Sequence, residues 1–343
     1  MIENNDENVR QDWLEDLPVD TRVDSYRPEE MISCTKCDRD NPPNRLECLY
    51  CGVKLELSQE QRKNLRPILR KTDTWKNAIN LIFVSKHSNL TEDDLKEIAK
   101  MTRLEMEMVT AIIDYGKPLP LARSEQNEKI EIVSARLSEF GVESVLVPDS
   151  VLDVNLPPKR LRKIEFKDGV VEFGLFNSGE VRKLRPDELR LIVTGALFER
   201  RVESSEKQLR KKENKILEMA ETSIDEMLID IYDRENADGY RISANGFDFS
   251  GLGSAKGMIA NENIKMIVEK LCEFSSEVEL DEDYLRLRAV LSGIWEIDEQ
   301  IDSKGLNRKG LGGYKRTTVT TTDNLKQFTK YSRLRRFLNE DKK

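Results

Sequence analysis

The sequence has almost no histidine, and this absence excludes whole classes of site. The chain has 343 residues and a single histidine, His87. A histidine-rich metal centre is therefore impossible, and any serine or cysteine nucleophile that needs a histidine base must use His87. No cysteine and no pair of carboxylates obviously joins His87, so we interpret it as a surface residue.

Long apolar runs are also missing. No stretch approaches the roughly 18 apolar residues that a membrane-spanning helix needs, and residues 1–8 are polar and acidic, unlike a secretory signal. Hydrophobic residues make up 38% of the chain and charged residues 35%, which is enough apolar surface for modest cores. We therefore predict a cytoplasmic protein with two or three domains.

Cysteine is scarce too, but four of the five cysteines have the spacing of a metal site. Cys34 and Cys37 form one Cys-x2-Cys pair, Cys48 and Cys51 form a second, and ten residues lie between the pairs. Each pair directs two thiolates toward one point, so two pairs complete a tetrahedral zinc site. Because four protein ligands leave no open coordination position, we predict one structural zinc ion and no metal catalysis.

The cysteine segment resembles the short zinc ribbon of many bacterial multidomain proteins, in which two cysteine knuckles flank an Asn-Pro-Pro turn such as residues 41–43. It is also similar to the Ran-binding-protein type of zinc finger, which has an asparagine at the place of Asn41. That finger has a tryptophan where this chain has Ile32, so the bacterial ribbon is the better match. The resemblance implies a zinc ribbon over residues 31–57.

Charge is distributed unevenly along the chain. Residues 1–33 contain ten acidic and three basic residues, and we predict an acidic flexible arm over residues 1–30. Residues 58–74 are basic and begin with a helix-capping pattern, which predicts a helical linker. Residues 304–336 contain ten basic residues and one acidic residue, and we predict a basic tail, rich in glycine and threonine, over residues 301–343.

Residues 75–150 alternate apolar strands with amphipathic helices. The periodicity predicts the order β-α-α-β-α-β, with strands at 79–84, 119–123 and 142–147 and helices from 91, at 104–114 and at 127–140. This order resembles the C-terminal domain of the bacterial ribosomal stalk protein and the related Clp protease adaptor, most clearly over residues 124–147. The resemblance implies that fold and a disposition to bind proteins, without any individual site residue.

The residue pattern of 160–300 is typical of a β-rich domain. Strands are predicted at 163–166, 170–176, 180–184, 189–202, 227–232 and 240–243, a charged helix at 204–222, and closing helices at 261–274 and 282–297. A meander of strands that ends in an amphipathic helix is similar to the pleckstrin-homology-like architecture, which serves many lipid, peptide and protein partners. The fold class expected for the whole chain is α+β, in several domains.

The predicted helix of the basic tail, residues 325–338, offers a second candidate site. We expect its apolar stripe to dock on the protein while Arg333, Arg335 and Arg336 face outward. Together with Tyr331, these arginines could contact a partner, an anion or nucleic acid through charge and stacking. The alternative is that the tail neutralises acidic parts of the protein itself.

Three other features have structural interpretations. The glycine-rich loop that runs from Gly251 lacks the Gly-Lys-Ser/Thr ending of a nucleotide loop, so we interpret residues 251–257 as a plain loop, with an anion site as the alternative. Cys272 lies on the apolar face of a predicted helix, as a core thiol does. The acidic groups at 93–94, 281–283 and 298–299 border helices, where carboxylates favour the dipole or face water.

No catalytic constellation emerges from these residues. The sequence therefore predicts a non-enzymatic, protein-binding adaptor or regulatory scaffold, and its net charge of −8 disfavours a dedicated nucleic-acid binder. The alternative is a nucleic-acid-associated regulator that uses the zinc ribbon and the basic tail, and an enzyme built around the Gly251 loop is a third option. Residues 240–253 and 327–334 also resemble a family of uncharacterised bacterial zinc-ribbon multidomain proteins, to which we attach no activity.

Overall fold

A computed structural model describes residues 26–43, 45–57, 65, 67–69, 77–209, 215–236, 238–308 and 313–340. The chain divides after Ser150 into two compact units, residues 1–150 and 151–343. Both units mix helices with strands. Among the described residues, no helix combines the length and the apolar character that crossing a bilayer requires. Most of the predicted arm (1–30) and of the predicted linker (58–74) lies outside the described residues.

In the first unit, residues 77–150 form a three-stranded antiparallel sheet with three helices. Before this sheet, the short strands β1 (Ile32–Ser33) and β2 (Asp40–Asn41) pair with each other. The elements of the sheet and its helices are β3 (Ile79–Lys86), α1 (Glu92–Thr102), α2 (Met106–Tyr115), β4 (Leu119–Ser124), α3 (Asn127–Glu139) and β5 (Val142–Pro148). β3 is the central strand, between β4 and β5. The structure confirms the predicted order β-α-α-β-α-β.

Local signals explain where these helices begin and end. Thr91 precedes α1, and its hydroxyl accepts a hydrogen bond from the Asp94 N–H at 3.2 Å while the Asp94 carboxylate accepts one from the Thr91 N–H at 2.8 Å. This reciprocal cap satisfies N–H groups that a helix start leaves open. At the C-terminal end of the next helix, Gly116 terminates α2 with φ +60°, a conformation that favours glycine.

The second unit contains one large mixed sheet. Its strands are β6 (Lys159–Lys167), β7 (Val170–Leu175), β8 (Val181–Leu184), β9 (Leu189–Leu209), β10 (Lys215–Asp233), β11 (Tyr240–Ser243), β12 (Glu279–Asp281), β13 (Asp298–Arg308) and β14 (Gly313–Asp323). Their order is β13-β14-β9-β10-β11-β6-β7-β8, and β12 pairs with β9. Two pairings, β11 with β6 and β12 with β9, are parallel. The sheet is therefore not the meander expected of a pleckstrin-homology-like domain, and that expectation was wrong.

The helices of the second unit are α4 (Ala260–Phe274), α5 (Tyr284–Leu291) and α6 (Leu325–Glu340). The predicted apolar face of α4 is confirmed, since Ile264, Ile267 and Leu271 are buried in the core. α5 is shorter than the predicted helix at 282–297. Because Gly195 of β9 has no Cβ, the ring of Phe328 in α6 lies directly against the strand.

The predicted charged helix at 204–222 was wrong where the structure describes these residues. Residues 204–209 and 215–222 form the outer parts of β9 and β10, which pair with each other, while β9 also pairs with β14 on its other side. Residues 210–214 lie outside the described residues. Lysine, glutamate and glutamine favour a helix in isolation, but hydrogen bonds from strands on both sides decide the structure here. The predicted basic tail is likewise part of the second unit, as β13, β14 and α6.

Candidate metal centre

Four cysteine sulfur atoms converge at one place in the first unit. The Sγ atoms of Cys34 and Cys51 are 3.6 Å apart, as are those of Cys37 and Cys48, and all four lie within 4.8 Å of one another. A disulfide needs about 2.05 Å, so these are free thiols. Four sulfurs about 2.3 Å from a tetrahedral cation stand about 3.8 Å apart. This group, hereafter the cysteine cluster, therefore fits one tetrahedral metal ion.

The two turns that carry the thiols repeat the same backbone design. The Asp38 N–H donates to the Cys34 carbonyl at 2.9 Å, and the Gly52 N–H donates to the Cys48 carbonyl at 3.0 Å. Asp38 and Gly52 also share a positive φ, +53° and +70°. Each turn thus reverses directly after its second cysteine, which directs both of its thiols to the same side. The sequence pattern of two equivalent knuckles is present in the fold.

Backbone N–H groups and neighbouring thiols set the protonation of the cysteine cluster. Burial raises the pKa of Cys48, but hydrogen bonds from the N–H groups of Cys51 and Tyr50 outweigh it and lower this pKa to about 6. At Cys37 the Arg39 N–H lowers the pKa, but burial and the adjacent thiols raise it to about 12. Two adjacent thiols do not ionise together easily, because the two thiolate charges repel each other. A bound cation offsets this repulsion.

Asn41 ties the two turns together. Its side chain is fully buried. The Asn41 Nδ2 donates to the Arg39 carbonyl at 2.9 Å, and its Oδ1 accepts from the Leu49 N–H at 2.7 Å. One amide therefore joins the end of the first turn to the beginning of the second. The sequence points to Asn41 through the zinc-finger resemblance alone, because the crosslink itself leaves no local pattern.

An apolar base supports the cysteine cluster. Ile32, Leu55 and Leu65 are buried in one apolar group with Cys34 and Cys48, and Ile132 of α3 packs against the same group. Lys54 also forms an ion pair with Glu128 in α3. The metal site is therefore anchored on the α/β part of the first unit.

Two large side chains of the second turn face solvent. Leu49 is 53% exposed and Tyr50 is 52% exposed, although they lie between two cysteines of the cluster. The guanidinium carbon of Arg39 stands 4.7 Å from the centroid of the Tyr50 ring, a distance at which a cation–π interaction forms. We call Arg39, Leu49 and Tyr50 the knuckle surface. Sequence reasoning missed it, because local sequence does not show which residues of a turn point outward.

The expected outward position of the α6 arginines was wrong. Arg333 is 5% exposed and Arg336 is 7% exposed. Arg335 lies 2.6 Å from the Asp281 carboxylate, and the Tyr331 hydroxyl donates to the same carboxylate at 2.7 Å. The acidic partners come from distant parts of the chain and cover the polar side of α6. Asp281, expected at a helix end or in water, is itself buried for this reason.

His87 has neighbours that the sequence did not suggest. Its Nε2 lies 3.4 Å from the Ser85 hydroxyl and 3.5 Å from the Glu143 carboxylate, and Ser85 donates to Glu143 at 2.7 Å. A catalytic triad uses one imidazole nitrogen for the serine and the other for the carboxylate. Here a single nitrogen faces both groups on an exposed surface, so the arrangement does not relay a proton.

The glycine-rich loop is used for packing. A Cβ at Gly251 would overlap the Ile164 carbonyl oxygen of β6, so close approach requires glycine there. The N–H of Gly257 donates to the Asn263 side chain at 2.7 Å, and this donor is therefore already satisfied. Cys272 is half-buried, and burial, with the nearby Glu282 charge, raises its thiol pKa, which suits an inert thiol.

Comparisons of this chain with protein-family models, with curated proteins and with solved structures found no match. The resemblances to bacterial zinc ribbons, to the ribosomal stalk domain and to the Clp adaptor therefore stay predictions. What the protein does has to follow from its own residues.

Proposed function

We propose that this protein is a non-enzymatic adaptor in which one zinc ion holds a rigid zinc ribbon that docks on a partner protein. The closed cysteine cluster beneath the exposed side chains of Leu49 and Tyr50 carries this proposal. The zinc has a structural role, because four thiolates fill a tetrahedral site and leave no position for substrate.

Zinc is the metal that best suits this ligand set. Sulfur-only tetrahedral sites bind zinc or iron, and zinc brings no redox chemistry to a site whose task is rigidity. The free thiols also favour a reducing compartment. We therefore place the protein in the cytoplasm.

The knuckle surface has the composition of a protein-docking site. Tyrosine and arginine are enriched among residues that dominate binding energy at interfaces, and here Arg39 is stacked on Tyr50. The metal fixes the backbone on both sides of Leu49 and Tyr50, so little conformational entropy is lost when a partner binds. The α/β part of the first unit, with the element order of a protein-binding fold, is a second contact region in this proposal.

The alternative function, nucleic-acid binding through the ribbon and the α6 residues, has less support. Tyr331, Arg333 and Arg336 are buried, so they offer little surface to a phosphate or a base.

The zinc part of the proposal is tested by the metal content of the gently purified full-length protein. Native mass spectrometry should find one zinc ion per chain, and Cys48→Ser should lower this content sharply. Cys272→Ser is the matched control, because this thiol lies outside the cysteine cluster, and it should leave the content unchanged. An intact chain without metal, or a Cys48→Ser chain that retains its zinc, contradicts the proposal.

The docking part is tested by placing a photo-crosslinking phenylalanine analogue at position 50 of the full chain in its native cells. A partner protein should crosslink at position 50, and this crosslink should disappear when the chain also carries Leu49→Ser. Leu285→Ser is the control, because Leu285 is similarly exposed, at 51%, in the second unit. If no protein crosslinks at position 50, or if both serine variants lower the yield equally, the knuckle surface is not the docking site.

A further inference from the structure

The beginning of β6 carries three positive charges close together. Lys159, Arg160 and Arg162 are exposed. Within the part of the chain that the structure describes, none of the three forms an ion pair with an acidic side chain, whereas Lys163 of the same strand pairs with Glu165 at 2.5 Å. In a chain with more acidic than basic residues, such a group of cations is available to an anion from outside.

A β-bulge sets the position of Arg162. The register of β6 against β7 shifts between Leu161 and Lys163, so Arg162 is the extra residue of β6. Its carbonyl accepts a hydrogen bond from the Asp248 N–H at 2.7 Å. Leu161 is buried in the core, while Arg162 is exposed. Bulges re-aim side chains and recur next to functional sites.

Both arginines lie against one aromatic ring. The guanidinium carbon of Arg160 stands 4.4 Å from the centroid of the Phe176 ring, and that of Arg162 stands 5.9 Å from it. At these distances a ring attracts a cation. Phe176 therefore holds together two groups that repel each other. We call Arg160, Arg162 and Phe176 the arginine cluster.

Arg160 is held in place while it stays accessible. Its Nη2 donates a hydrogen bond to the Asn245 carbonyl at 2.7 Å. A Cβ on Gly246 would stand 3.2 Å from the same nitrogen, so glycine leaves room for the guanidinium group there. A guanidinium group has several N–H donors, and those that Asn245 does not use can serve a ligand. Because the side chain is already ordered, little conformational entropy is lost on binding.

We propose that the arginine cluster binds a phosphate monoester. A planar guanidinium group donates two parallel N–H bonds to phosphate oxygens. A phosphate monoester has a charge of about −1.5 to −2 and three acceptor oxygens, so one such group can offset both arginines at a single point. A carboxylate, which has one charge, cannot do so. This inference goes beyond the adaptor function, because it gives the second unit a ligand of its own.

Acidic side chains beside the arginine cluster favour a compact anion over a long polyanion. The Glu226 carboxylate accepts a hydrogen bond from the Asn245 side chain at 2.9 Å, and the Asn245 carbonyl holds Arg160. Asp248, which is joined to Arg162 through the backbone, is exposed. A chain of phosphates that ran past the cluster would approach these like charges, whereas a single phosphate group contacts the arginines alone.

The test follows the phosphorus NMR signals of inorganic phosphate and of a short peptide with one phosphoserine while the full-length, zinc-loaded protein is added at about 0.15 M salt. Both signals should broaden saturably, and the unphosphorylated peptide should not compete. Arg160→Gln combined with Arg162→Gln should weaken binding by about tenfold or more. The matched control, Arg234→Gln with Lys265→Gln, changes the net charge equally at exposed positions of the second unit and should bind as the wild type does.

A second pair of variants tests the ring. Phe176→Leu keeps both charges but removes the cation–π contact, and it should weaken binding by about threefold. Phe176→Tyr keeps the ring and should restore the affinity of the wild type. Far-UV circular dichroism checks that all variants fold.

The two probes distinguish the sources of the phosphate group, and either source supports the proposal. Tighter binding of the phosphopeptide than of inorganic phosphate would identify a phosphorylated protein as the ligand, and equal affinities would identify a free phosphate compound. The proposal is overturned if neither signal broadens saturably, or if both double variants lose affinity equally. It is also overturned if an oligonucleotide without a terminal phosphate displaces the phosphopeptide more strongly than inorganic phosphate does, because the cluster would then bind a polyanion.

Discussion

The buried amide of Asn41 holds the two halves of the cysteine cluster in register. Its contacts run to the backbone of Arg39, two residues after Cys37, and of Leu49, directly after Cys48. Groups behind the ligands position them, and their loss commonly lowers metal affinity by about 10-fold to 100-fold.

We therefore expect Asn41→Ala to weaken zinc binding by about 10-fold to 100-fold while the site still binds one ion. Competition with a chromophoric chelator measures this affinity. Asn155→Ala is the control, because Asn155 is exposed and remote from the sulfurs in the sequence. Equal affinities for the wild type and Asn41→Ala would show that the crosslink does not position the ligands.

A buried ion pair joins two strands of the second unit. The Asp230 carboxylate is fully buried and accepts two hydrogen bonds from Arg241, at 2.6 and 2.7 Å. Arg241 also donates to the Thr329 hydroxyl of α6 at 3.0 Å. The pair thus connects β10, β11 and α6, and removing one partner leaves the other charge buried without compensation.

Asp230→Asn should lower the free energy of unfolding of the second unit by about 3–5 kcal/mol. Urea unfolding followed by the emission of Trp295, with Trp13 and Trp75 changed to phenylalanine, reports this unit. The exposed pair of Arg200 and Glu221 supplies the control, since water screens this pair and Glu221→Gln should lower the free energy of unfolding far less than Asp230→Asn does. If both variants lowered the free energy of unfolding equally, the buried pair would stabilise the unit no more than an exposed pair does.

At the scale of elements, one carboxylate closes the small sheet of the first unit. Asp149 follows β5 and accepts hydrogen bonds from the Asn80 side chain of β3, at 3.0 Å, and from Arg123 of β4. Burial raises the Asp149 pKa, but the hydrogen bonds from Arg123 and Asn80 outweigh burial and hold this pKa below its usual value. The ionised form is therefore the one that the folded sheet stabilises.

A carboxyl group whose pKa is lowered by folding stabilises the fold at pH values above its ordinary pKa. This contribution is lost as the pH falls toward the lower pKa of the folded state. We expect Asp149→Asn to be less stable than the wild type near pH 7, and the difference to shrink below about pH 4. This difference in stability is measured at each pH by proteolysis in urea, counting only cleavage sites within residues 77–150. Asp114→Asn, at an exposed position near Lys86, should show no such trend. A constant difference at every pH would contradict this role.

The sequence predicted those elements that local rules determine. The α/β part was correct because each helix has a cap or a stop signal and one apolar stripe, as at Thr91 and Gly116. The cysteine cluster was predictable from spacing alone, since two Cys-x2-Cys turns share one geometry.

Elements that depend on distant partners were not predictable. The outer parts of β9 and β10 are rich in charged residues and lack apolar alternation, so their sequence favoured a helix. α6 was placed correctly, but its burial depends on Asp281 and Glu279, which lie more than 40 residues earlier. No local pattern shows that such carboxylates will cover the polar side of a helix.

At the scale of the molecule, the C-terminal helix α6 belongs to the core of the second unit. β14 pairs along β9 from Glu199 to Leu209. In α6, Phe328 and Leu334 are fully buried, and the Gln327 side chain donates to the carbonyl of Trp295 at 2.8 Å. Removing these residues would uncover a large apolar face.

A chain that ends at residue 303 should therefore lose the fold of the second unit but keep its zinc. With Trp13 and Trp75 changed to phenylalanine, the emission of Trp295 should move to the red, while native mass spectrometry should still find one ion, because the first unit has its own apolar core. A chain that lacks only residues 341–343 is the control and should retain the buried emission of Trp295. Unchanged emission after the long deletion would show that β14 and α6 are dispensable.

The position of α6 along the chain has a consequence during synthesis. β9 leaves the ribosome more than 130 residues before α6 does, a delay of roughly 7–26 s at about 5–20 residues per second. For that time Leu191, Val193 and their neighbours have no helix to cover them. Nascent chains of this protein should therefore depend on holding chaperones until translation has passed residue 340.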